Sequence, residues 1–224
     1  MKKPIELKRP HAFTLVELLV VIAIIAVLVG FTIPALDAVK KRQVINQTQA
    51  EMGQLNAAIQ NYHATYGIYP PDNPGNALNN QLYYELVGMT NTSPPGVSPV
   101  VYRTLDGSQT IDSAQLATAF GAGVGGIVNC SKFKAGEEAQ PAQNFLHDLR
   151  PNQTAVVGNV TLLVASVGGP DASYAPLGTA DVNPWRYNSS NPTNNPGTYD
   201  LWVQLVIIGK TNLVCNWSKT VQRQ

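Results

Sequence analysis

A short basic segment opens the chain, an unbroken apolar run follows it, and a long stretch with apolar residues at helical spacing comes next. From Leu18 to Leu36 the sequence LLVVIAIIAVLVGFTIPAL carries no charged residue. A helix needs about 20 mainly apolar residues to cross a hydrocarbon core, so this run predicts a transmembrane helix. A secretory signal has an apolar region of about 7–15 residues closed by a small-residue cleavage site. The run here is longer, and no such site closes it. Beyond it, Ile45, Thr48, Met52, Leu55, Ile59, Tyr62 and Tyr66 recur at steps of three and four, one stripe of an amphipathic helix. Asn46, Gln47, Gln49, Gln54, Gln60 and Asn61 make its polar face, and Gly67, Pro70 and Pro71 stop it. A helix from Phe13 to Tyr66 would be on the order of 80 Å long.

After Gly67 the pattern changes to short runs between turn residues. Asn80 to Val87 reads as a short helix with Leu82, Leu86 and Val87 inward. Val100 to Leu105, Ala155 to Val167 with a break at Gly158-Asn159, and Trp185 to Asn188 read as strands. YDLWVQLVII and NLVCNWS flank Gly209-Lys210 and predict an antiparallel hairpin. NPWRYNSSNPTNNPG, from Asn183 to Gly197, is too rich in Asn and Pro for a regular element and reads as an exposed loop.

Composition narrows the function classes. Fifteen basic residues stand against fourteen acidic ones, and charged residues make up 13% of the 224. That balance leaves no basic excess to neutralise phosphates, so nucleic acid is not an expected partner. Locally the balance is uneven: Lys2, Lys3, Lys8 and Arg9 face only Glu6 ahead of the apolar run, a membrane-targeting pattern that places the leader in the cytoplasm. Asp37, Lys40, Lys41 and Arg42 close the run and are expected at an interface.

Two residues break the apolar pattern. Glu17 puts a carboxylate at the head of the membrane segment, where a lone charge costs a few kcal/mol unless it is paired or near the headgroups. Both resolutions stay open on the sequence alone: a resting place in the headgroups, or a positive partner. Pro34 lacks the N–H that would bond the Gly30 carbonyl, so Gly30 to Pro34 is the expected place for a kink or for local unwinding on subunit packing. A tolerated transmembrane proline is the alternative.

The segment AFTLVELLVVIAIIAVLVGFTIPAL resembles the class III leader and first helix of type IV pilins and of type II secretion pseudopilins. The resemblance implies cleavage by a prepilin peptidase between Ala12 and Phe13 and methylation of the new amino terminus at Phe13. It makes Glu17 the fifth residue of the mature subunit. The family usually has Gly before the cut, where this chain has Ala12. Cleavage creates an α-ammonium at Phe13, and the Glu17 carboxylate of a neighbouring subunit would pair with it in a low-dielectric setting. YHATYGIYP, from Tyr62 to Pro70, and NPWRYNSSNP with GTYDLW, within Asn183 to Trp202, are similar to segments of major pseudopilins. Those proteins often hold calcium through acidic residues near their C-terminal strands. After Asp200 this chain has no acidic residue, so no metal and no cofactor is carried over.

Other chemistry finds little support. Gly121, Gly123 and Gly126 satisfy G-x-G-x-x-G, but no strand pattern precedes them and no helix pattern follows, as dinucleotide binding requires. His63 lies on the amphipathic helix and His147 beside Asp148, with no nearby Cys or second His to complete a metal site. No G-x-S-x-G or S-x-x-K arrangement occurs. Cys130 and Cys215 are far apart in sequence; outside the cytoplasm they can form one disulfide, or remain two buried thiols.

The expected architecture is α+β: a cleaved leader (1–12), a transmembrane and assembly helix (13–36), its amphipathic continuation (37–67), and an antiparallel β-sheet head of pilin-like form (68–224). The expected role is structural, not enzymatic: a filament subunit anchored in the inner membrane with its head outside the cytoplasm, most simply a pseudopilin of a type II secretion system. Its partners would be other pilin or pseudopilin subunits, the prepilin peptidase and inner-membrane assembly machinery. A surface pilin for adhesion, motility or DNA uptake is one alternative. A membrane-tethered ligand-binding protein that does not assemble is another.

Overall fold

The computed structural model describes residues 14–121, 126–131, 141–167, 176–207 and 209–223, the side chains of 31–37 and 223 excepted. The chain divides into two compact units, Met1–Gln43 and Val44–Gln224. Helix α1 spans Leu15–Tyr66 and continues without a break through Gly30 and Pro34. Gly67 ends α1 at φ 74°, with its N–H on the His63 carbonyl at 2.8 Å.

In the second unit the amphipathic stripe of α1 lies in the core as its periodicity requires. Thr48, Leu55, Ile59 and Tyr62 are buried, while Ile45, Met52 and Tyr66 are partly buried. A fully buried aliphatic or aromatic side chain of this kind stabilises the fold by about 1.5–3 kcal/mol. Helix α2, Leu82–Val87, is buried over its whole length, so Tyr83, Tyr84 and Glu85 are buried as well as the expected Leu82, Leu86 and Val87.

Strands β1 (Met89–Asn91), β2 (Val101–Thr104) and β3 (Thr110–Asp112) precede helix α3 (Ser113–Phe120) and strand β4 (Cys130–Ser131). They form one sheet in the order β3-β2-β1-β4. Its pairs are antiparallel except β1 with β4, where Met89 lies beside Cys130 and Thr90 beside Ser131 in parallel. Strands β5 (Thr154–Val157) and β6 (Val160–Leu163) make a separate hairpin whose turn carries Gly158 at φ 62°.

Strands β7 (Arg186–Asn188), β8 (Asp200–Ile207), β9 (Lys210–Cys215) and β10 (Gln222–Arg223) form a second antiparallel sheet in the order β10-β9-β8-β7. Along β8 every second residue is buried from Leu201 to Ile207, the alternation of a strand with one face in the core. Among the described residues the expected antiparallel sheet is thus replaced by two four-stranded sheets and a hairpin, with one parallel pair. The hairpin connects to the second sheet by an isolated bridge between Val164 and Pro184.

Candidate assembly site at the head of the first helix

Thr14 and Glu17 form a reciprocal cap on α1. The Thr14 backbone N–H donates to Glu17 Oε2 at 2.9 Å, and the Thr14 hydroxyl donates to the same oxygen at 2.7 Å. In return the Glu17 N–H donates to Thr14 Oγ1 at 3.3 Å. This is the S/T-x-x-E pattern in which cap and third-residue side chains satisfy each other's backbone donors. The carboxylate also lies at the positive end of the helix dipole. Glu17 Oε1 takes no part in the cap. Glu17 is therefore held at the helix head by bonds to Thr14 that use one oxygen, while among the described residues the other oxygen takes no hydrogen bond.

The helix behind Glu17 is apolar on all sides and uncovered. Leu15 is 77% exposed, Ile22 56% and Leu28 61%, with Leu18, Leu19, Ile24, Ile25 and Val29 equally open. At Gly30 an added Cβ would meet nothing within 4 Å, so packing inside the chain does not demand glycine there. Among the described residues no helix is long and apolar enough to cross a membrane. The sequence span Leu18 to Leu36 runs into 31–37, so the Pro34 ring lies outside the described residues, as do Ala12 and Phe13 at the cleavage and methylation site.

Cys130, on β4, and Cys215, on β9, are both buried thiols and are not bonded to each other. Among the described residues no group of three or more His, Cys, Asp or Glu could hold a metal. Gly121 caps α3 at its C-terminus, and Gly123 lies outside the described residues.

Sequence reading missed four buried carboxylates in the second unit, Glu51, Asp72, Glu85 and Asp200. Glu85 is fully buried, and its oxygens accept from Tyr62 Oη at 2.9 Å, Val128 N at 3.0 Å and Asn129 N at 3.0 Å. Burial pushes its carboxyl up to about 7, while the Asn129 N–H, the Val128 N–H and the Tyr62 hydroxyl pull it down. Glu51 accepts from the backbone N–H of Ser166 at 3.0 Å and from the Ser166 hydroxyl. Asp200 accepts from the backbone N–H groups of Thr193, Asn194 and Asn195, each at 2.9 Å, so its charge organises the Asn-rich loop. None of these carried a sequence signal, because their donors lie in turns and loops far away in the chain or without regular spacing.

A capped glutamate heads an uncovered apolar helix, and an α+β unit follows it in the chain. Residues 7–33 match the family model described as the prokaryotic N-terminal methylation motif. Its N-terminal segment thus carries a class III prepilin leader of the type found in type IV pilin-like proteins. The chain is 28% identical to fimbrial protein EcpC of Eikenella corrodens over 93 residues, which are 42% of this chain and 61% of that protein. The match therefore spans less than two thirds of the relative's length. No solved structure matches the chain.

Proposed function

We propose that the chain is a structural subunit that packs its first helix with those of other subunits into a filament after the leader is removed at Ala12–Phe13. The observation that carries this reading is Glu17 with one oxygen open at the head of an apolar surface that the rest of its unit does not cover. In a filament the cleaved ammonium of Phe13 on a neighbour supplies the opposite charge, and helix packing buries the exposed leucines, isoleucines and valines. The segment 13–36 anchors the precursor in the inner membrane before assembly, with the head outside the cytoplasm.

Within the filament class we favour a type II secretion pseudopilus, supported by the pseudopilin-like segments Tyr62 to Pro70 and Asn183 to Trp202. A surface fimbria is the second reading, and the likeness to a fimbrial protein supports it. N-terminal sequencing of the membrane-extracted protein tests the filament class as a whole. A methylated Phe13 is the expected terminus; an intact Met1 in a protein that never assembles would leave only a tethered head. Glu17→Gln should be inserted and cleaved yet give few filaments, and a normal yield would remove Glu17 from assembly.

A further inference from the structure

A pocket of about 470 Å³ lies between the 72–77 segment and the 187–191 segment of the second unit. Asp72 is one of its walls and only 7% exposed. Its Oδ2 is saturated: Ser189 N donates at 3.1 Å, Ser190 N at 3.2 Å and Ser190 Oγ at 2.9 Å. Its Oδ1 receives no hydrogen bond, and Asp72 makes no ion pair among the described residues. A carboxylate nine-tenths buried and without a counter-charge costs free energy that a cationic ligand would recover.

The neighbouring groups select among cations. Asn73 spends its amide N–H on the Asn79 carbonyl at 2.7 Å, which leaves its Oδ1 as an acceptor. Ser190 spends its hydroxyl proton on Asp72, so its oxygen can only accept. The Asn188 amide donates to the Asn191 carbonyl at 3.0 Å. The backbone donors at 189 and 190 are occupied by Asp72 itself, so an anion finds little to bind. Acceptors dominate the wall, Asp72 is the sole charged residue among those that line it, and no exposed aromatic ring offers a stacking surface. An ammonium has three donors and no acceptor, and it is a compact charge that matches one open carboxylate oxygen flanked by neutral oxygens.

We propose that this pocket binds a primary ammonium group, such as a lysine side chain, with Asp72 Oδ1 as its counter-charge. The site is independent of the assembly helix, and its test uses dispersed full-length chain in detergent, so failure here leaves the filament reading untouched. Asp72→Asn is the informative variant: its amide oxygen can keep the three donors now on Oδ2, while its NH₂ replaces the open oxygen and repels an ammonium.

The probe is Nα-acetyl-lysine methylamide, followed by ¹⁵N shifts of the Ser189 and Ser190 amides. The expected result is a saturable shift in the wild type, absent with Nα-acetyl-norleucine methylamide, and weakened at least about tenfold in Asp72→Asn at an unchanged melting temperature. If Asp72→Asn melts early, the comparison of lysine with norleucine on the wild type decides alone. No saturable shift, equal shifts from the two probes, or tighter binding of calcium chloride at the same amides would each overturn the proposal.

Discussion

The phenol of Tyr62 donates to Glu85 Oε2 at 2.9 Å, joining the last turns of the long helix to a carboxylate with no access to solvent. Further hydrogen bonds complete the cluster. Glu85 receives the amides of Val128 and Asn129, and Tyr66 donates to Asn129 Oδ1 at 2.7 Å. Asn129 in turn uses its NH₂ on the Glu85 and Gln143 carbonyls at 2.7 and 2.6 Å. One buried charge thereby orders segments distant in sequence: α1, α2, the 128–129 turn and the chain at 143. The arrangement is a buried polar network whose bonds support one another, and such networks are costly to break at any single member.

That charge makes stability depend on pH. Burial raises the Glu85 carboxyl from 4.5 to about 7, so the folded protein binds its proton more tightly than the unfolded chain does. Stability is then highest below the unfolded value of 4.5, falls as pH climbs through the interval to about 7, and is flat above it. The full drop is on the order of 3 kcal/mol, since each tenfold difference in proton affinity between the folded and unfolded chain is worth about 1.4 kcal/mol. In Glu85→Gln this part of the slope should vanish, although the variant is less stable at low pH because its NH₂ faces a backbone N–H. Urea titrations across that interval check it; an unchanged slope in Glu85→Gln would assign the dependence to another group.

Tyr62→Phe removes a hydrogen bond to a buried carboxylate and fills the same space. A bond to a charged group is worth about 1.5–3 kcal/mol, so the variant should lose that much above the Glu85 titration and less when Glu85 is protonated. Removing a donor that favours the charged form also moves the Glu85 midpoint upward. Denaturation of Tyr62→Phe, Glu85→Gln and the double variant gives the coupling directly, and additive losses would mean the two side chains act separately.

Gly88 follows α2 at φ 78° and ψ 155°, a region essentially reserved for glycine. A Cβ there would stand 2.6 Å from the Gln143 carbonyl and 3.0 Å from Leu105 Cδ1. Its own N–H and carbonyl are both used, by Tyr84 and Leu105 at 3.0 Å. Gly88→Ala combines backbone strain with a backbone clash and should cost about 3 kcal/mol or more. A melting temperature within a degree or two of wild type would show that the 143 segment can move away.

Elements that announce themselves through periodicity are legible in the sequence. The α1 stripe, the β8–β9 hairpin around Gly209 and the β5–β6 break at Gly158 all follow from local spacing and turn chemistry. Helix α3 carries an equally local signal that the strand and loop patterns around it obscure: Asp112 accepts from Gln115 N at 2.7 Å and Gln115 Oε1 accepts from Asp112 N at 3.0 Å, the D-x-x-Q form of a capping box. The short strands β1, β4 and β10 are not legible, because two or three residues carry no period and their pairing is set by distant partners. The same holds for Glu85 and Asp72, whose meaning depends on which backbone amides tertiary folding brings to them. Glu17 stands out because it interrupts an apolar run, a purely local signal. Its cap by Thr14 is just as local but breaks no pattern, so only the geometry draws it out.

The cap gives Glu17 two roles that a single variant separates. Thr14→Val keeps the backbone N–H that donates to Oε2 at 2.9 Å but removes the hydroxyl that donates at 2.7 Å and accepts from Glu17 N. Loss of an N-cap side chain costs about 1 kcal/mol, felt as fraying of the first turn and not as loss of the helix. If Glu17 serves assembly through a neighbour's ammonium, Thr14→Val should reduce filament yield only modestly while Glu17→Gln abolishes most of it. Quantifying sheared filaments from the two variants beside wild type measures this. Equal loss in both would make the cap, and not an intersubunit charge pair, the feature on which assembly depends.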